Sequence, residues 1–148
     1  MKKIKLTKGK YALVDKENFE YLNQLKWCFD GRYAQSFQNG SKVRMHRIIS
    51  NAPSGLEVDH INGNGLDNRK LNIRLCLHKD NGRNLKLQRR NKSGYKGVEK
   101  VKNKWRSSIV VDYRKNHIGY FYTKQEAALA YNNSALKNYG RFARLNII

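Results

Sequence analysis

The sequence predicts an α+β protein made of two small modules, on three observations. Its 148 residues suffice for one or two domains with modest cores. Short apolar–polar alternations punctuated by Gly and Asn recur in the first 50 residues and again after residue 94, so both ends are rich in strands. A strong helix start stands near the C-terminus, at Thr123 and Glu126.

In chain order, residues 10–15 (KYALVD) and 32–47 (RYAQSFQNGSKVRMHR) read as strands. Asn39-Gly40 forms a hairpin turn in the second stretch. Between them, Phe19, Leu22, Leu25 and Trp27 are spaced for a short helix. A loop dense in Gly, Asn and Asp separates 56–60 (LEVDH) from 72–77 (NIRLCL), and a helix is expected from about His78 to Arg90. Residues 86–94 (KLQRRNKSG) lack periodicity and read as a linker. The first module is therefore taken as 1–88 and the second as 93–148. In the second, 94–101, 104–113 and 117–122 read as three antiparallel strands. A helix follows, capped by Thr123 and Glu126 and stopped by Gly140, with Ala127, Ala128, Ala130, Tyr131 and Ala135 giving it a small-residue face. Alternation puts Trp105, Ser107, Ile109 and Val111 on the helix side of the middle strand, with Lys104, Arg106, Ser108 and Val110 on the other.

Charge narrows the function. Lys and Arg number 31 against 11 Asp and Glu, a formal charge of +20, which points to a polyanion. No apolar run approaches the roughly 18 residues of a membrane span, and no apolar segment follows the basic start, so a cytoplasmic protein is expected. Cys28 and Cys76 form no C-x-x-C pair, which argues for reduced thiols and against a structural zinc site.

The chemistry concentrates in residues 56–86 (LEVDHINGNGLDNRKLNIRLCLHKDNGRNLK). Asp59, His60, Asn72, Asn81 and Asn84 supply a carboxylate, an imidazole and several amides, which a hairpin feeding a helix would gather. Hard oxygen donors suit Mg²⁺, and a histidine beside the metal can take a proton from water near neutral pH. An unperturbed imidazole titrates near about 6.5, so a base of this kind is expected to switch on between roughly pH 5.5 and 7.5. His78 reads as a surface histidine.

From MHRIIS (45–50) through VDHINGNGLDNRKLNIRL to DNGRN, the chain resembles the HNH homing endonucleases of phages and introns. The resemblance implies a ββα-metal fold over about 45–88, with one Mg²⁺ or Mn²⁺ ion per active site. It implies His60 as general base, Asp59 and Asn81 as metal ligands, and Asn72 as the residue that holds the loop and His60 in position. Asn84 and His46 are weaker candidates. Leu77 stands where the family often has a capping Thr, which Asp80 in the first turn can offset through the helix dipole. Residues 93–146 resemble the AP2 DNA-binding domain of plant transcription factors, through Tyr95, Gly97, Val98, Lys104-Trp105, Ile118-Gly119, Phe121, Glu126-Ala127-Ala128, Ala130-Tyr131, Ala135, Gly140 and Ala143 to Asn146. That resemblance implies a sheet lying in the DNA major groove, with Lys96, Lys100, Lys102, Lys104, Arg106, Ser108, Lys115 and His117 at the DNA. Ser108 and Val110 replace arginines of the plant domains, so the plant target site does not transfer. From Lys86 to Arg106, nine residues are basic and only Glu99 is acidic.

The expectation is a monomeric, metal-dependent endonuclease on double-stranded DNA, without a small-molecule substrate or membrane partner, that serves homing of a mobile element. Its rivals are a non-catalytic DNA-binding regulator on a degenerate HNH scaffold, which the intact Asp59, His60, Asn72 and Asn81 disfavours, and an RNA-binding protein, which lacks an RRM or KH signature.

Overall fold

The basic N-terminus folds back on itself as a hairpin. β1 (Lys2–Lys5) pairs antiparallel with β2 (Tyr11–Val14), placing Ile4, Ala12 and Val14 inward. Helix α1 (Lys16–Asn23) follows and contributes Leu22. Trp27, expected on that helix, lies just beyond it and donates its indole N–H to the Leu22 carbonyl at 2.7 Å, which seals the helix end. A second sheet has the order β3 (Cys28–Phe29), β4 (Ala34–Gln38), β5 (Ser41–Arg44). Asn39 (φ 50°) and Gly40 (φ 75°) take the paired left-handed conformations of a tight hairpin turn.

The strand expected through residue 47 stops at Arg44, because 45–50 form helix α2 (Met45–Ser50). Met45 is fully buried, and Ile48 and Ile49 pack against the same core, so the i, i+3, i+4 period overrides the alternation before it. β6 (Glu57–His60) and β7 (Ile73–Cys76) form a two-stranded antiparallel hairpin, and helix α3 (His78–Arg83) follows. α3 ends seven residues short of Arg90. It has no buried residue, and Gly82 in its last turn weakens it.

After α3 come β8 (Val98–Val101), β9 (Lys104–Val111) and β10 (Arg114–Phe121), in the order β10-β9-β8, then helix α4 (Lys124–Tyr139). Thr123 and Glu126 close the capping box. Ile109, Tyr131, Ala135 and Tyr139 form one buried cluster, and Val98, Ala127 and Ala128 another, flanked by Trp105 and Phe121. Each large apolar side chain buried in this way contributes roughly 1.5–3 kcal/mol. Asn146 clasps the end of the chain: its side chain accepts from Lys96 N–H (2.7 Å) and donates to Lys96 C=O (3.1 Å), while its backbone is held by Asn132 (2.8 and 2.9 Å).

The computed structural model describes residues 1–148 and divides into two compact units, Met1–Asn81 and Gly82–Ile148. The division lies earlier than residue 88, since 82–92 fold with the second unit. There, Lys96 Nζ donates to the carbonyls of Arg83 (2.6 Å) and Leu85 (3.1 Å), and Asn91 binds the Tyr95 carbonyl (3.0 Å). No helix is long and apolar enough to cross a membrane.

Candidate active site

The β6–β7 register pairs Glu57 with Cys76, Asp59 with Arg74 and His60 with Ile73. Alternation therefore puts Glu57, Asp59, Arg74 and Cys76 on one face, with Val58 and His60 on the other.

On the first face, the Asp59 side chain is only 5% exposed, and its Oδ2 accepts from Arg74 Nε (2.9 Å) and Nη2 (2.6 Å). Glu57 reaches α3: Oε2 accepts from Asn81 Nδ2 at 2.5 Å, and Oε1 pairs with His78 Nδ1 at 2.6 Å. Those two hydrogen bonds hold the Glu57 carboxyl below its usual range. Sequence reasoning missed Glu57 and Arg74, although the period of two puts Glu57 on the face of Asp59. His78, read as a bland surface residue, is exposed but holds that glutamate.

Divalent-metal fit follows from the donor set. Asp59 and Glu57 offer carboxylate oxygens on one face, and Asn81, with Nδ2 committed to Glu57, keeps Oδ1 as an acceptor. These are hard donors of the kind Mg²⁺ and Mn²⁺ take. No three His, Cys, Asp or Glu side chains gather as a metal cage. With both Glu57 oxygens engaged by Asn81 and His78, the Asp59 carboxylate and the Asn81 amide oxygen are the set that suits an ion filling its remaining positions with water and phosphate.

On the second face, His60 is buried (5% exposed) among aromatic rings. Tyr33 stacks on it at 5.7 Å between centroids, and His46 meets it edge-on at 5.0 Å. Burial pulls the His60 imidazole below its ordinary value, keeping it neutral. His46 is buried too, and burial, with His60 and the Arg44 and Arg47 cations nearby, pushes its ring down to about 3. It serves as a neutral packing wall for His60.

The Asn-rich loop between β6 and β7 is a closed hydrogen-bond network. Asn72 accepts from Asn62 N–H (3.0 Å) and donates to the Asp67 carbonyl (2.7 Å). Asp67 takes both Arg69 nitrogens (2.7 and 2.6 Å) and the Asn62 amide (2.9 Å). Asn72 thus pins the loop backbone, whereas the side chain bonded to His60 is Asn68, whose Oδ1 lies 3.1 Å from Nε2. A side chain is barred at Gly65: a Cβ there would stand 2.4 Å from Arg32 O and 2.7 Å from the Tyr33 ring that stacks on His60. Asn84 is buried in the second unit.

The second unit holds the basic run from Lys86 to Arg106. Register places Lys104, Arg106, Ser108 and Val110 opposite Val101, Glu99, His117 and Lys115 on the sheet face away from α4. A bulge between His117 and Gly119 turns Ile118 into the core and leaves His117 and Tyr120 together outside, 4.7 Å apart. Three of the expected DNA contacts have surroundings of their own. Lys96 is half-buried and committed to two carbonyls, and burial pulls its amine down to about 8. Lys100 pairs with Trp105 on the helix side, its amine 5.6 Å from the indole. Ser108 points outward but is only 8% exposed. Lys102 sits in the β8–β9 turn with φ 52°. Glu99 Oε1 accepts from Arg106 (3.0 and 2.7 Å) and Lys115 (3.1 Å), so the lone acidic residue of the run ties down Arg106 within it and Lys115 beyond it.

Comparison with known proteins gives three findings. Residues 51–83 match the model of a family described as HNH endonuclease. An uncharacterized HNH endonuclease of Acanthamoeba polyphaga mimivirus is 32% identical over 149 residues, covering 95% of this chain and 77% of that protein. Protein 3.8 of Escherichia phage T7 is 39% identical over 62 residues, 40% of this chain and 51% of that protein. No solved structure matches.

Proposed function

The chain belongs to the HNH endonuclease family, and from that premise we propose that it is a metal-dependent endonuclease of double-stranded DNA, homing-type in its target choice, whose second unit grips the duplex through an AP2-like sheet. The observation that carries this reading is Asp59 and His60 at consecutive positions ending β6, the carboxylate on the face of Glu57 and Asn81, the imidazole buried and neutral on the other.

Asp59 and His60 are the last residues of β6 and point to opposite faces, so the proposal seats the phosphate across the end of the strand, where the two faces meet. Asp59 and Asn81 would hold one Mg²⁺ or Mn²⁺ ion, with Glu57 fixing the Asn81 amide. Bound there, the ion supplies charge neutralisation for the scissile phosphate and the leaving 3′ oxygen. His60 takes a proton from the attacking water, whose oxygen forms the new P–O bond as the bond to the leaving oxygen breaks. Asn72 keeps the loop, and with it His60, in place. One such site per monomer makes nicking the elementary event. Incubating the protein with phage-sized DNA and Mg²⁺, then mapping the ends, is expected to give discrete cuts that EDTA abolishes. Cuts that persist in EDTA would sink the metal-dependent reading.

One observation favours a second reading, a DNA-binding regulator with a silent site: Arg74 already engages the Asp59 carboxylate. The same assay separates the two, because a regulator binds the DNA and leaves it whole.

The grip has its own test. Lys104, Arg106 and Lys115 share the outer sheet face with His117 and Tyr120, which supports reading them as the phosphate contacts. Arg106→Ala is expected to lower the slope of log K against log salt by about 0.9, one phosphate contact. Glu99→Gln, which frees Arg106 and Lys115, is expected to tighten binding and steepen that slope. Fluorescence anisotropy with a labelled duplex across a salt series reads both. Unchanged slopes in both variants would remove this face from the interface.

A further inference from the structure

We propose that Asn68 is the positioning residue that fixes the tautomer of His60, placing the proton on Nε2 and making Nδ1 the basic nitrogen. This rests on the reading of His60 as the general base, and concerns a residue to which neither the sequence pattern nor the metal site gives a part.

Asn68 has no exposed surface. Its Nδ2 donates to the Met45 thioether at 3.4 Å, and its Oδ1 lies 3.1 Å from His60 Nε2. The chemistry of the two neighbours sets which end of the amide faces which. A thioether sulfur only accepts, so the NH₂ end belongs against Met45 and the oxygen against His60. Reversing the amide would set an oxygen against sulfur lone pairs. An amide oxygen in turn only accepts, so Nε2 must carry the hydrogen. A base acts in its neutral form, and a neutral imidazole has one N–H, so with Nε2 protonated toward Asn68 the lone pair falls on Nδ1.

The amide is anchored to the core. Asn68 N–H donates to the Leu13 carbonyl on β2 at 2.8 Å, and Leu13 N–H donates to the Leu66 carbonyl at 2.8 Å. Tyr33 and His46 restrict the ring itself, stacked and edge-on. Asn72 spends both ends of its amide on the loop backbone. Two jobs that the motif assigns to one asparagine are divided here between two. In the reaction, the water proton passes to Nδ1, its oxygen bonds to phosphorus, and the leaving oxygen takes a proton from solvent.

The test uses the metal-free full chain with ¹⁵N-labelled histidine. Long-range ¹H–¹⁵N correlation above pH 7, with the His60 signals identified by their loss in His60→Gln, is expected to show a protonated Nε2 and an unprotonated Nδ1. Asn68→Asp keeps an acceptor oxygen and is expected to keep that pattern. Asn68→Leu removes it, and is expected to mix the tautomers and slow cleavage roughly 10-fold or more, within the contribution of base catalysis, with DNA affinity unchanged. A wild-type His60 protonated on Nδ1 overturns the proposal, and this reading needs no variant to fold. If the tautomer is as stated but His60→Ala still cuts, the base assignment fails and the positioning role loses its catalytic meaning. If the tautomer is reversed and His60→Ala is inactive, only the present inference fails.

Discussion

Replacing His60 with alanine is expected to lower cleavage by roughly 10²-fold or more, the usual share of a positioned general base, while duplex affinity stays at the wild-type level. Affinity is expected to survive because the cations proposed to meet phosphate lie on the outer face of the β8–β9–β10 sheet. The substitution also leaves Asn68 Oδ1 buried without its partner, at a cost of about 1–3 kcal/mol, so folding is checked by circular dichroism before rates are compared. The pH dependence carries a sign that separates burial from chemistry. A base works when unprotonated, and burial depresses the His60 imidazole, so the wild-type rate is expected to be flat at neutral pH and above and to fall only in acid. The acid limb is displaced toward lower pH from the roughly 5.5–7.5 interval that an unperturbed imidazole gives. The fold weakens in the same direction. His46, at about 3 when folded and near 6.5 when unfolded, favours the folded state above 6.5, and that contribution fades as pH falls toward 3. Single-turnover rates over the range where the dichroism is constant therefore give the catalytic limb alone. A His60→Ala enzyme that cuts near the wild-type rate at saturating metal, or that retains the acid limb, would remove His60 from the base role.

Much of this arrangement was legible in residue order because it depends on local chemistry. The Asn39-Gly40 turn, the Thr123–Glu126 capping box and the two faces of β9 each follow from a few neighbouring residues whose preferences agree. What was not legible depends on contacts distant in sequence. The helix at Met45–Ser50 wins over a strand because Met45, Ile48 and Ile49 reach one core with Ile4 and Val14. Lys96 looks like any other cation of a basic run until the carbonyls of Arg83 and Leu85 close on it. The family resemblance singles out Asn72 to hold both the loop and His60, and nothing in residue order points to Asn68. Only the folded hairpin gives one to the imidazole and the other to the backbone. Arg74 faces Asp59 solely through the β6–β7 register, fixed by a loop whose length does not announce where pairing resumes.

Substituting alanine for Gly97 is expected to cost the second unit roughly 2–5 kcal/mol, a large share of a total stability of about 5–15 kcal/mol. Two independent causes add. Gly97 has φ +75°, where a side chain costs roughly 1–2 kcal/mol. Its Cβ would also stand 2.1 Å from Tyr131 Cδ2 and 2.6 Å from the Ser108 carbonyl oxygen. Neither neighbour has room to retreat. Tyr131 is 3% exposed and packs in the cluster of Ile109, Ala135 and Tyr139, and Ser108 O belongs to the central strand, whose Ser108 N–H bonds the Gly97 carbonyl at 2.9 Å. Overpacking of this kind costs typically 1–3 kcal/mol, and at about 4–8 °C per kcal/mol for a domain of this size the midpoint of the second unit should fall well over 8 °C. The functional consequence follows from the division of labour. Asp59, His60 and Asn81 lie in Met1–Asn81, outside the unit that softens. Near the lowered midpoint, Gly97→Ala is expected to lose duplex affinity and most of its salt dependence, while Mn²⁺ still binds as in the wild type. Hydrogen exchange resolved by residue, with anisotropy at matched temperature, checks both. A variant that melts like the wild type would contradict the strand–helix packing at Gly97. One that melts early yet binds DNA with the wild-type affinity and salt slope would show that the grip resides elsewhere in the chain.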